Sequence, residues 1–153
     1  MNITHTKNFE LIASLNKSVH TLHYQLYPTK FKPYDYQSIK EFFESIIDNP
    51  NFVFLLIEEK SYPLGYAWIE FRSYPETAFT KSIDVIYVHQ ISINSISRNK
   101  GFGSLLMLEI EKIAKQYSVS SIELDYWAAN QKVRDFYKKN GYQINREYVY
   151  KNL

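Results

Sequence analysis

The chain has 153 residues, enough for one domain with a real core, and its 45% hydrophobic and 17% aromatic content excludes a disordered polymer. A formal net charge of +2 is too small to argue for a nucleic-acid or membrane-surface partner. There is no cysteine, which excludes a disulfide framework, a thiolate metal site and a cysteine nucleophile.

Ile3 to His5 reads as a short first strand. Leu11, Ile12, Leu15, Val19 and Leu22 then recur at helical spacing to about Tyr24, with Asn8 placed to cap the helix. Pro28 and Pro33 bracket a loop. Tyr36 to Asp48 reads as a second helix with Ile39, Phe42, Phe43, Ile46 and Ile47 facing inward, stopped by Asn49-Pro50. Phe52 to Glu58 and Tyr66 to Arg72 look like a hairpin joined by a turn over Ser61 to Gly65. Ile83 to Ile93 reads as the longest strand, followed by a helix to about Tyr117 with Phe102, Leu106, Ile110 and Ile113 on its buried stripe. Ser121 to Tyr126 is a further strand, Asn130 caps a short helix, Gly141 suits its left-handed end, and Tyr142 to Tyr150 is expected to close the chain as a strand or hairpin. The order argues for an α/β domain over 1–153, a mixed, mostly antiparallel single-layer sheet flanked by helices. No segment is apolar enough to span a bilayer, and Met1 to Glu10 has no apolar leader core, so a soluble cytoplasmic protein is the default expectation.

Between the longest strand and its helix lies Arg98-Asn99-Lys100-Gly101-Phe102-Gly103-Ser104. Glycines at 101 and 103 allow close backbone approach to an anion, and the following helix aims unpaired N–H groups at the same spot. The turn lacks the third glycine of a dinucleotide fingerprint and the Gly-Lys-Ser/Thr ending of a nucleotide-triphosphate loop. It resembles the Q/R-x-x-G-x-G/A signature of the GNAT N-acetyltransferase superfamily, through Arg98, Gly101 and Gly103. Asn130 to Tyr142 resembles the second motif of that family, N-x-x-A-x-x-x-Y-x-x-x-G-F, with Val133 in place of alanine and Tyr142 in place of phenylalanine.

The resemblance implies transfer of an acetyl group from acetyl-CoA to an amine by direct attack in a ternary complex, with no metal. It implies that Arg98 to Ser104 hold the pyrophosphate, that the main chain of Ile91, Ser92 and Ile93 contacts pantetheine and the carbonyl oxygen, and that Asn130 could contact the coenzyme. Tyr137 matches the family's general-acid position. A core role suits it too, one turn after Val133 and beside Phe136. For the base, the family offers two places, filled here by His89 and Asp125; Glu70 is a third candidate. Asn130 is equally explained as a helix cap, and Ile91 and Ile93 as core.

His20 and His23 lack a third metal ligand and, with Tyr24, Tyr27, Tyr34 and Tyr36, read better as walls of an acceptor pocket. The acceptor is then a small amine, amino acid or peptide N-terminus, and the resemblance makes a homodimer through the C-terminal strands an expectation. The rival reading is a non-catalytic acyl-CoA-binding or regulatory module of the same fold. RNA binding would need a basic sheet face with stacking rings, whereas the aromatics here fall in apolar patterns.

Overall fold

The helices start where the polar caps predict. Asn8 accepts from the Leu11 N–H at 2.9 Å to open α1 (Phe9–Leu26), and Asp35 accepts from Ser38 at 2.8 Å to open α2 (Tyr36–Ile46). The computed structural model describes residues 1–153, and its remaining elements are β1 (Asn2–His5), β2 (Phe52–Glu59), β3 (Tyr62–Tyr74), β4 (Ile83–Ile93), α3 (Phe102–Gln116), β5 (Ile122–Leu124) and α4 (Gln131–Lys139). The strands form one five-stranded sheet in the order β1-β2-β3-β4-β5. All neighbours are antiparallel except β4 and β5, which run parallel because α3 carries the chain back across the sheet.

Alternation along the strands divides the core in two. Leu55, Ile57, Ala67, Ile69, Ile86 and Val88 face α3 and α4, where Leu106, Met107 and Ile110 complete a dry layer. Phe54, Leu56, Tyr66 and Trp68 face α1 and α2, meeting Ile12, Leu15, Phe43 and Ile47. Each such buried side chain contributes roughly 1.5–3 kcal/mol of transfer free energy. On α2 the expected inward face is only partly realised: Phe43 is buried, but Phe42 is 45% exposed.

The β2–β3 hairpin is tighter than the sequence suggested. Lys60 and Ser61 both take left-handed conformations, so the turn lies there and Tyr62 to Gly65 is already strand. Gly65 is needed for packing: a Cβ on it would stand 2.2 Å from the Ser92 carbonyl oxygen on β4. Gly65→Ala is expected to lower stability by roughly 1–3 kcal/mol, since β3 must move off β4, and urea unfolding will measure it.

The expected strand from Tyr142 to Tyr150 is absent. After Tyr142 the chain forms no helix or strand and makes no hydrogen bond to the domain, and Tyr148, Val149, Tyr150 and Leu153 lie in solvent. Apolar alternation makes a strand only where a neighbour supplies hydrogen bonds, and no strand of this chain lies beside it. No helix is long and apolar enough to cross a membrane.

Candidate active site

β4 was expected to be the longest strand, but β3, with 13 residues against 11, exceeds it because its pairing with β4 runs out to Tyr74; the pairing of β4 is broken on its other side. β5 meets it only from Ile86 to Val88, opposite Ile122 to Leu124. Just beyond, Trp68 lies opposite Gln90 while Ile69 lies opposite Val88, which leaves His89 as the extra residue of a bulge. From His89 to Ile93, β4 keeps β3 on one edge and has no strand on the other. The sheet therefore opens at His89, and main-chain groups of Ile91, Ser92 and Ile93 run along the opening. Their side chains serve the fold: Ile91 and Ile93 pack on the α3 side, and the Ser92 hydroxyl donates to the Leu15 carbonyl at 2.9 Å, tying β4 to α1.

At the end of β4, a single 3-10 turn from Ser95 to Ser97 leads to the glycine turn. Asn99 and Gly101 both have positive φ, at 63° and 85°, which curls the backbone ahead of α3. No side chain caps α3, so the N–H groups of Phe102, Gly103 and Ser104 are left for an anion. A Cβ on Gly103 would stand 3.2 Å from the Phe136 ring, so this glycine lets α3 and α4 approach closely. Lys100 is exposed beside the turn. Arg98 is tied down instead: Nε donates to the Ile93 carbonyl at 3.2 Å and a terminal nitrogen to the Ser18 carbonyl at 3.1 Å. It locks the turn to β4 and α1 while adding positive charge.

Tyr137 lies on the α3–α4 side of the sheet. Asn130 caps α4 by accepting from the Val133 N–H at 3.2 Å, which accounts for its side chain as a structural group. At the other end, Gly141 has φ 85°, and the N–H groups of Gly141 and Tyr142 donate back to the carbonyls of Lys138 and Tyr137, a Schellman closure. Between these ends Tyr137 stacks on Tyr126 at 5.8 Å and meets Tyr142 edge-on at 5.5 Å. Burial pushes its phenol well above the ordinary value, with Tyr142 and Asp125 adding to the effect. Its hydroxyl makes no hydrogen bond within the chain.

His89 stands on the opposite, α1–α2 side. Its ring stacks on Trp68 at 4.1 Å, with Tyr87 and Phe52 edge-on, and its Nε2 is 2.7 Å from Glu70 Oε2. A carboxylate accepts only, so Nε2 carries the proton and Nδ1 keeps the free lone pair. Glu70 is held in turn by Arg72, which donates from Nε at 3.1 Å and from Nη2 at 2.6 Å. The Arg72 guanidinium lies 3.8 Å over the Tyr87 ring. Burial lowers the His89 imidazole from its ordinary value; Glu70 and Asp125 oppose the shift and Arg72 adds to it. Burial raises the Glu70 carboxyl, but its bonds to Arg72 and His89 prevail and hold it below the usual range.

Asp125 is exposed just past β5, and Tyr87 donates to it at 2.6 Å. Burial and this bond push the Tyr87 phenol up to about 12. Asp125 lies within electrostatic reach of both His89 and Tyr137, which belong to opposite faces of the sheet.

The outer wall only partly follows expectation. His20 and His23 pack on Phe31, Tyr34 donates to the Ala13 carbonyl at 2.7 Å, and the Tyr27 hydroxyl accepts from the Ala129 N–H at 3.0 Å. Tyr36 sits exposed on the first turn of α2. Trp127, which the sequence reading missed, packs on both Tyr27 and Phe31, so α1 and its following loop reach the β5–α4 loop. Gln90, Trp68 and Tyr87 were also missed; their position beside the break was the only signal, and it lies in the pairing. No three His, Asp or Glu side chains gather as a metal site.

The same architecture recurs in solved proteins. A tetramutant of the BH1408 protein from Bacillus halodurans is 20% identical, with a TM-score of 0.93 and both chains covered over 100%. An aminoglycoside antibiotic 6'-N-acetyltransferase from Acinetobacter haemolyticus is 18% identical, with a TM-score of 0.73, covering 100% of this chain and 98% of that one. A predicted acetyltransferase with acetyl-CoA from Clostridium acetobutylicum is 22% identical, with a TM-score of 0.70, covering 99% and 95%. No curated protein matches the chain by sequence. These likenesses establish the fold, and the family model of the acetyltransferase (GNAT) family matches residues 16–142, both signature segments included. With the glycine turn, the opened β4 and the α4 tyrosine in place, the chain belongs to the GNAT acetyltransferase family.

Proposed function

We propose that the protein moves an acetyl group from acetyl-CoA to a primary amine, on a small amine, amino acid or peptide N-terminus. One observation supports the reading: His89, with Nε2 on Glu70 and Nδ1 unbonded, lies on the α1–α2 face and Tyr137 on the α3–α4 face of a sheet whose β4 loses its β5 partner after Val88. The uncapped α3 N-terminus, Lys100 and the Arg98 charge suit the pyrophosphate, and β4 main-chain groups suit pantetheine and the carbonyl oxygen. An aminoglycoside N-acetyltransferase of the same fold supports an amine acceptor.

In this reading the amine approaches from the α1–α2 side. An alkylammonium has a pKa near ~10, so it must lose a proton before its lone pair can attack. His89 Nδ1 takes that proton as the C–N bond forms, and Glu70 steadies the imidazolium from Nε2. The C–S bond breaks on the other side, and Tyr137 delivers its proton to the departing sulfur. Asp125, engaged by Tyr87, acts through its charge and by holding that ring against His89.

The test is free thiol released from acetyl-CoA across amines, amino acids and short peptides. The protein has no cysteine and so adds no background to a thiol-reactive dye. Amine-dependent release is expected. Silence across the panel, with acetyl-CoA still raising the melting temperature, would favour the non-catalytic acyl-CoA-binding module instead.

A further inference from the structure

Beneath the opening, on the acceptor side, lies a buried polar group that the chemistry above leaves unused. Asn16 on α1 is 2% exposed, and its Nδ2 donates to the Tyr66 hydroxyl at 3.0 Å and to Gln90 Oε1 at 3.1 Å. Tyr66, 0% exposed, donates its own hydroxyl to the same Gln90 oxygen at 2.5 Å. Burial holds the Tyr66 phenol far above its ordinary value, so it remains a donor at every working pH. Asn16 Oδ1 has no partner at all. A buried amide with an orphaned oxygen is unfavourable where an apolar pair would fill the space, so the arrangement calls for a reason.

The reason lies in what it does to Gln90. The Tyr66 hydroxyl and Asn16 Nδ2 both donate to Oε1, while Nε2 makes no hydrogen bond in the chain and is not closed off from solvent. Gln90 directly follows His89 at the bulge. Its side chain sits under α1, where Leu15 and Ser18 are also pinned to β4 and its turn. An amide is thus held with its nitrogen unbonded one residue after His89, on the α1–α2 side of the sheet, from which the proposed amine arrives.

We infer that Gln90 reads the acceptor, donating to an oxygen carried next to the reacting amine. The inference rests on the transferase reading and narrows it to α-amino-acyl compounds, namely peptide N-termini and amino-acid amides, over plain alkylamines. Tyr66 and Asn16 are its positioning residues, holding the donor in a direction that a free glutamine would adopt only part of the time.

Gln90→Glu separates the roles. A carboxylate still accepts from Tyr66 and Asn16, so the buried contacts survive, but the outward donor is gone. The probe is thiol release from acetyl-CoA with alaninamide and with 2-aminobutane, its oxygen-free counterpart. The amines differ in pKa, but that difference is common to both proteins and cancels when their preference ratios are compared. Gln90→Glu is expected to reduce the alaninamide preference by ~10-fold or more. Tyr66→Phe, which keeps the donor but loosens it, is expected to raise the KM for alaninamide more than it lowers kcat. An unchanged preference ratio in a Gln90→Glu protein that melts like wild type would overturn the assignment. Release with neither these nor any other amine would instead bring down the transferase reading itself.

Discussion

Tyr137→Phe is expected to lower kcat by ~10²-fold or more while leaving acetyl-CoA affinity little changed. The size follows from what the hydroxyl does and does not touch. It has no partner within the chain, so its removal breaks no structural hydrogen bond, and the ring keeps its stacking on Tyr126 and its edge contact with Tyr142. Stability should change little, because the hydroxyl bonds to nothing in the chain and is not among the buried polar atoms cut off from water. Rate then reports on proton donation alone. The raised phenol pKa adds a second expectation: Tyr137 remains protonated throughout the ordinary range, so kcat should not fall on the alkaline side through its ionisation until beyond pH ~10. A Tyr137→Phe enzyme with wild-type turnover would return the residue to the core.

His89→Ala should cost ~10²–10⁴-fold in kcat at neutral pH, the range expected for losing a general base. The sign of the pH dependence follows from burial. Activity needs a free Nδ1, protonation removes it, and the imidazole lies below its ordinary value; kcat at saturating amine should therefore rise through a midpoint below pH ~6.5 and flatten above it. Glu70 raises the imidazole, so Glu70→Gln should move that midpoint to lower pH. The shift also tells a positioning carboxylate from a merely structural one, which would change stability and leave the midpoint alone. If the acid limb persists unmoved in His89→Ala, the base lies elsewhere, and Asp125 becomes the candidate.

Much of this could be read from residue order. The glycine turn, the Asn130 cap and the Gly141 closure are local: each depends on a backbone angle or a contact within a few residues, and each stands where the sequence put it. His89, Asp125 and Tyr137 were named through the family resemblance that those local motifs carry. What the sequence hid depends on partners far along the chain. The bulge at His89 exists only in the pairing of β4 with β3, and the opening only in β5 being too short to follow β4. Glu70 as a partner for His89, and Gln90 held by Asn16, likewise join residues from different elements. Phe42 was placed inside by its helical spacing, yet α2 covers less of the sheet than its apolar stripe would allow. The final segment failed for the same reason, since β-propensity describes a readiness to pair and says nothing of whether a neighbour is there.

That segment leaves a plain signature in solution. Amides from Gln143 onward donate to nothing in the domain, so in a lone chain their deuterium uptake should run at the rate of an unstructured peptide while β2 and β3 stay protected. Slowed uptake confined to this stretch, growing with protein concentration, would then report its capture by another molecule, with side chains such as Tyr148, 96% exposed, as the groups withdrawn from water.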